Sequence, residues 1–181
     1  SSTKQMPAVK RTRAELHHFT SKNLQSWLVI GHDLPLVPVE EQAALEVMNY
    51  IIGAEHVKTR LMVETRYKYG YTNDASGFLE DQWYGPGGYT FRSVSRPEVI
   101  ENIYRNMLGE LIRVRNEEVT DRELFVAIGA LADGTFPVRY RDGYALTRSF
   151  ALERLRYGNH NKLASYVQRI RAVTKEDVLD A

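Results

Sequence analysis

Two periods of apolar spacing divide this chain, and the places where they switch mark its elements. Residues 1–13 are polar, basic and unperiodic, and are expected to form a tail or interdomain linker ahead of one domain over 14–181. Residues 14–20 and 25–31 flank Ser21-Lys22-Asn23, a turn-like cluster, which predicts a first hairpin. Its second arm contains Trp27-Leu28-Val29-Ile30, an unbroken apolar run that predicts a strand buried on both faces. Ala44, Leu45, Met48, Ile51 and Ile52 then recur at helical spacing up to Gly53. They predict a helix over about 39–52, with Pro38 where a first turn tolerates it. A second helical stretch is expected around 55–67. After it comes a hairpin, 71–82 and 88–95, around Tyr84-Gly85-Pro86-Gly87-Gly88. In its second arm Tyr89, Phe91 and Ser93 alternate with Thr90, Arg92 and Val94, the period of a strand with two unlike faces.

The second half reads as helical. Ser95 to Glu98 and Thr120 to Glu123 have the spacing of capping boxes, and Thr174-Lys175-Glu176-Asp177 looks like one more helix start. Ile100, Ile103, Tyr104, Met107, Leu108 and Leu111 fall on one helical face, as do Leu124, Ala127, Ile128 and Leu131. Further helices are expected over about 139–157 and 160–171. Strands, helices, a hairpin and then a run of helices predict an α+β fold, a mainly antiparallel sheet with helices packed over one face.

Composition narrows the function only by exclusion. The net charge of +1 gives no reason to invoke nucleic acid, and no run approaches the roughly 18 apolar residues that span a bilayer. Without cysteine, disulfides and thiolate zinc sites are excluded. Glu55-His56 has the look of the tail of an H-x-x-E-H string, but Ile52 stands where the first His belongs, so the second imidazole is missing. His17 and His18, on a predicted strand, would point to opposite faces, and His32 and His160 sit alone beside turns. No metal site and no catalytic residue is expected. Ser93 lacks a nucleophile-elbow context, and Gly85–Gly88 lacks the Lys-Ser/Thr of a phosphate loop. Glu40-Glu41 and Glu117-Glu118 sit at helix starts, where acids favour the dipole.

The segment EQAALEVMNYIIGAEHVKTRLMVETRYKYG, residues 41–70, resembles the C-terminal, metal-free half-domain of the pitrilysin/insulinase zinc peptidases. There a helix such as ALEVMNYILGG precedes a phrase such as SRLFREIREKEGLAYS. GPGGYTFRSVSRPEVIENI, EEVTDRELFVAIGALADGTFPVRY and IRAVTKEDVLDA come next in the family order, so the resemblance runs from about Leu16 onward. It implies a processing-peptidase-like metallohydrolase half-domain that does not itself catalyse. Zinc would sit in a separate H-x-x-E-H half, in the same chain or in a partner subunit, with a peptide substrate in the shared cavity. In active members this half donates an Arg and, seven residues on, a Tyr to the substrate. Arg66 matches the Arg, but the seventh residue on is Asn73, and Tyr67, Tyr69 or Tyr71 would substitute only with a register shift. The alternative implication is a scaffold or interaction domain from a member that has lost activity, as in respiratory-complex core subunits. An isolated half could homodimerise through the surface its partner would cover, and bacterial periplasm and cytoplasm both stay open.

Overall fold

The computed structural model describes residues 13–20, 22–54, 57–80, 82 and 86–181. In chain order these contain β1 (Ser26–Leu34), α1 (Gln42–Gly53), α2 (Arg60–Met62) continuing into a π turn (Val63–Tyr67), β2 (Ala75–Leu79) and β3 (Gly87–Ser95). A 3₁₀ turn (Pro97–Val99) leads into α3 (Ile100–Asn116). Then come α4 (Asp121–Gly129), a second π segment (Ala130–Thr135), α5 (Phe136–Arg139), α6 (Gly143–Tyr157), α7 (Asn161–Ala164), α8 (Tyr166–Ala172) and α9 (Lys175–Asp180). The fold is α+β, and its three strands form one antiparallel sheet in the order β1-β3-β2. No helix among the described residues is long and apolar enough to cross a membrane.

The chain divides into two compact units. The first, residues 1–36 and 52–113, holds the sheet, α2 and most of α3. Its core follows the two-residue period of β3, where Tyr89, Phe91, Ser93 and Ser95 are buried on one face. Ile103 and Met107, four apart on α3, are fully buried, as helical spacing demands. Gly53 ends α1 for a packing reason. A Cβ there would lie 2.8 Å from the Gly77 amide nitrogen of β2 and 2.9 Å from Leu61 Cδ1, so only glycine permits this approach.

β1 departs from expectation. Trp27 and Val29 are 69% and 59% exposed, because β1 is an edge strand and the sheet face they share with Arg92 and Phe78 is open. The apolar run is therefore two unlike faces that both happen to be apolar, not a strand covered on both sides. The first hairpin is absent among the described residues: 14–20 are irregular and exposed, Leu16 and Phe19 included, and the strand placed under His17 and His18 is not there. His32 lies within β1, edge-on to Tyr89 at 5.8 Å, rather than beside a turn. The Ser95 capping box is not made either. Ser95 Oγ donates to the Tyr71 carbonyl, and the turn at Pro97 begins with no side-chain cap.

The second unit, residues 37–51 and 114–181, packs most of α1 with α4 to α9. Val47, Ala127, Ile170 and Val178 are fully or almost fully buried in it. Both later capping boxes form, Thr120 with Glu123 and Thr174 with Asp177. Thr120→Ala should cost about 1 kcal/mol of stability, read as a lower urea midpoint with the slope unchanged. The helix expected over 139–157 instead starts at Gly143, where the Asp142 carboxylate accepts the Ala145 amide at 2.8 Å. Across the unit, Tyr166 Oη donates to Glu46 Oε2 at 2.8 Å, and Arg169 donates to the Val39 carbonyl at 2.9 Å.

Burial raises the Tyr166 pKa, with Glu46 adding to the effect, and burial alone raises that of Tyr89 in the first unit. Both phenols are held protonated above the usual tyrosine value of 10.0. A raised folded pKa means the stabilisation is complete below about pH 10 and is lost as pH rises beyond it. Urea midpoints should therefore hold level up to about pH 10 and fall above it. Tyr89→Phe combined with Tyr166→Phe should flatten that fall, and an unchanged slope in the double variant would refute the assignment.

Candidate functional site

Arg66 is placed by an irregular piece of helix. The buried Thr59 caps α2, its Oγ1 accepting the Met62 amide at 3.2 Å. After three residues the winding loosens, and the Lys68 amide reaches back five residues to the Val63 carbonyl at 3.0 Å. π turns of this kind are rare and recur at functional sites. Thr65, fully buried, donates its hydroxyl to the Leu61 carbonyl at 2.6 Å and gives its own carbonyl to the Tyr71 amide at 2.9 Å. Gly70 closes the turn with φ 63°, the left-handed conformation that glycine takes without strain, and its amide donates to the Arg66 carbonyl at 2.8 Å.

The next loop, leading into β2, is fastened to β3 by hydroxyls. Thr72 Oγ1 lies 2.6 Å from the Val94 carbonyl and accepts the Asp74 amide at 3.0 Å. Ser93 Oγ donates to the Asp74 carbonyl at 2.7 Å, and Ser95 Oγ holds the Tyr71 carbonyl. Thr72, Ser93 and Ser95 are all buried, so these bonds are shielded from competing water. They were legible only as an oddity, since Ser93 and Ser95 occupy the core-facing positions of an otherwise aromatic strand face.

The side chains carried on this base are partly buried or exposed. Arg66 is partly buried, its guanidinium 5.7 Å from the Tyr67 ring centroid, and it meets no carboxylate among the described residues. Glu64, the acid available for a local pair, is taken by Lys68 at 3.1 Å, and that bond raises the lysine pKa. Tyr69 and Tyr71 stack nearly parallel with centroids 5.2 Å apart, and Tyr67 and Tyr69 are exposed. Asn73 is exposed at the crest of the anchored loop. The segment thus presents five guanidinium donors, a tyrosine stack and a carboxamide from one braced length of backbone. No group of three His, Cys, Asp or Glu gathers as a metal site among the described residues, and Glu55 and His56 lie outside them.

The family described as the peptidase M16 inactive domain matches residues 4–131. The chain belongs to this family. No curated protein matches it in sequence. A protease from Helicobacter pylori superposes on this inactive domain with a TM-score of 0.77, at 17% identity over 89% of this chain and 38% of its own. A peptidase M16 inactive domain from Pseudomonas fluorescens gives 0.69 at 22% identity, covering 86% of this chain and 37% of that one. An inactive peptidase domain from Bordetella parapertussis gives 0.71 at 15% identity, with 90% and 87% covered. At these identities the likeness is one of fold. The chain spans a little over a third of the first two of these proteins.

Proposed function

We propose that this inactive domain is the substrate-positioning half of a two-half zinc peptidase, with the zinc ion and the H-x-x-E-H helix on the other half. The observation that carries the reading is Arg66. It is an arginine on a braced π turn with no carboxylate to satisfy it among the described residues, and so is free to meet the backbone carbonyls of a peptide. The open sheet face of Trp27 and Val29 supports the reading too, as an apolar surface of the kind a partner half would cover. A second reading, a scaffold from a member that has lost activity, is favoured by Asn73, which stands where active members carry a hydroxyl.

The test is complementation. The chain alone, an H-x-x-E-H half alone and the two together are assayed on fluorogenic peptides and for retained zinc. Zinc-dependent hydrolysis by the combination, with the present chain alone metal-free and inactive, is the expected result. Stoichiometric zinc on this chain, or hydrolysis by the other half that is indifferent to its presence, would refute the proposal. Association without any activity would favour the scaffold.

A further inference from the structure

We infer that the outward face of α6, with the corner that leads into it, is a docking surface for an acidic polypeptide segment. Residues 136–173 hold eight basic residues against two acidic ones, a net of +6 in a chain whose total is +1. The two local acids are both engaged elsewhere. Asp142 caps α6 through the Ala145 amide at 2.8 Å, and Glu153 is buried, accepting the Leu163 amide at 3.0 Å. Some of the cations are engaged as well: Arg169 serves backbone carbonyls within the unit, and Arg171 pairs with Asp133 at 2.6 Å.

What remains exposed lies on α6 or just before it. Arg139 and Arg141 are exposed just before α6, and Arg148 is exposed on it. None of the three meets a carboxylate among the described residues. Arg154, also exposed, bonds the carbonyl of Gly158, which leaves most of its donors open. Tyr144, Arg148, Ala151 and Leu155 succeed one another at steps of four, three and four, which places them on one stripe of the helix. Tyr144 is 80% exposed and Leu155 83%, and Val138 at the preceding corner is 64% exposed. Exposed large apolar side chains and guanidiniums on one short stretch of chain have the composition of a protein interface centre, where Tyr and Arg are enriched.

Charge complementarity calls for an anion, and the apolar members decide which kind. Leu155 and Val138 offer nothing to a phosphate backbone, and Tyr144 alone is no stacking platform for bases. A helix lying in a lipid interface presents a wide continuous apolar face, whereas Arg148 interrupts this stripe. A polypeptide that alternates Asp or Glu with apolar residues matches both the guanidiniums and the apolar members. The surface shares no residue with the Arg66 rim, and its test reads binding rather than turnover, so either reading can fail alone.

The experiment is fluorescence anisotropy on the 181-residue chain. The probes are a short labelled peptide in which Glu alternates with Leu and Phe, its Lys counterpart, a single-stranded oligonucleotide and phosphatidylserine vesicles. The acidic peptide should bind, more weakly as salt rises, and the Lys peptide should not. Arg139→Glu, Arg141→Glu and Arg148→Glu together should weaken binding about tenfold or more, with the circular dichroism unchanged. The corresponding Gln triple serves should the Glu triple fail to fold. Tyr144→Ala with Leu155→Ala should also weaken binding, which mere charge attraction would not require, while Arg105→Glu should not. Absence of acidic-peptide binding, indifference to these substitutions, or preference for the oligonucleotide or vesicles would overturn the proposal.

Discussion

Under the proposed function, Arg66→Ala is expected to lower turnover of the combined halves by about 10²- to 10³-fold, the loss typical of removing one preorganised donor from a developing oxyanion. Folding should be untouched. The guanidinium makes no hydrogen bond or ion pair within the described residues, and the π turn is held by backbone bonds and by Thr65. Arg66→Lys should recover only part of the activity, since an ammonium keeps the charge but loses the planar fork. Asn73→Tyr is expected to raise turnover, because it returns a hydroxyl to an exposed loop crest already fixed by Thr72, Ser93 and Ser95. Steady-state kinetics on the three variants checks all of this. Turnover unchanged by Arg66→Ala would remove Arg66 from the site while leaving the fold intact.

The largest effect on stability is expected at Phe91, whose replacement by alanine should cost about 3–5 kcal/mol. Phe91 is 2% exposed on the central strand, with Ile30 and Gly77 as its cross-strand partners and the Tyr89 ring 4.4 Å from its own. Gly77 has no side chain with which to fill the space left behind, so little of the cavity can collapse. Trp27→Ala, on the open face of the edge strand, removes a larger side chain but should shift the urea midpoint far less. A Phe91→Ala cost below about 1 kcal/mol would mean that the sheet does not pack as described.

The contrast between these two aromatic residues shows what the amino-acid pattern could and could not convey. Alternation in β3 told of two unlike faces, and the face of Tyr89, Phe91 and Ser93 is the buried one. In β1 both faces are apolar, so the run looked fully buried, and nothing local to it says that the sheet ends there. Thr120 and Thr174 behaved as capping residues, with acids three positions on that reach back to them. Ser95 has the same spacing, yet its hydroxyl is drawn to Tyr71, a partner 24 residues away that only the folded chain supplies. Gly53 was visible as a helix end, but its reason, the backbone of Gly77, was not. Arg66 was legible through resemblance alone. It has no carboxylate partner among the described residues, where Glu64 pairs with Lys68 instead, and that choice is made by the folded chain.

The π turn also bears on how positions should be counted between relatives. Such a turn fits one residue more into its loop than an α turn does. Removing any one residue between Val63 and Tyr67 would let ordinary winding resume with the residues downstream facing nearly the same way, each one number earlier. A spacing of seven in one sequence and seven in another therefore fixes the same direction in space only if both carry the extra residue. Relatives should be aligned on the hydroxyl anchors of β3, which hold the loop whatever the winding before it, and only then asked which side chain stands at its crest.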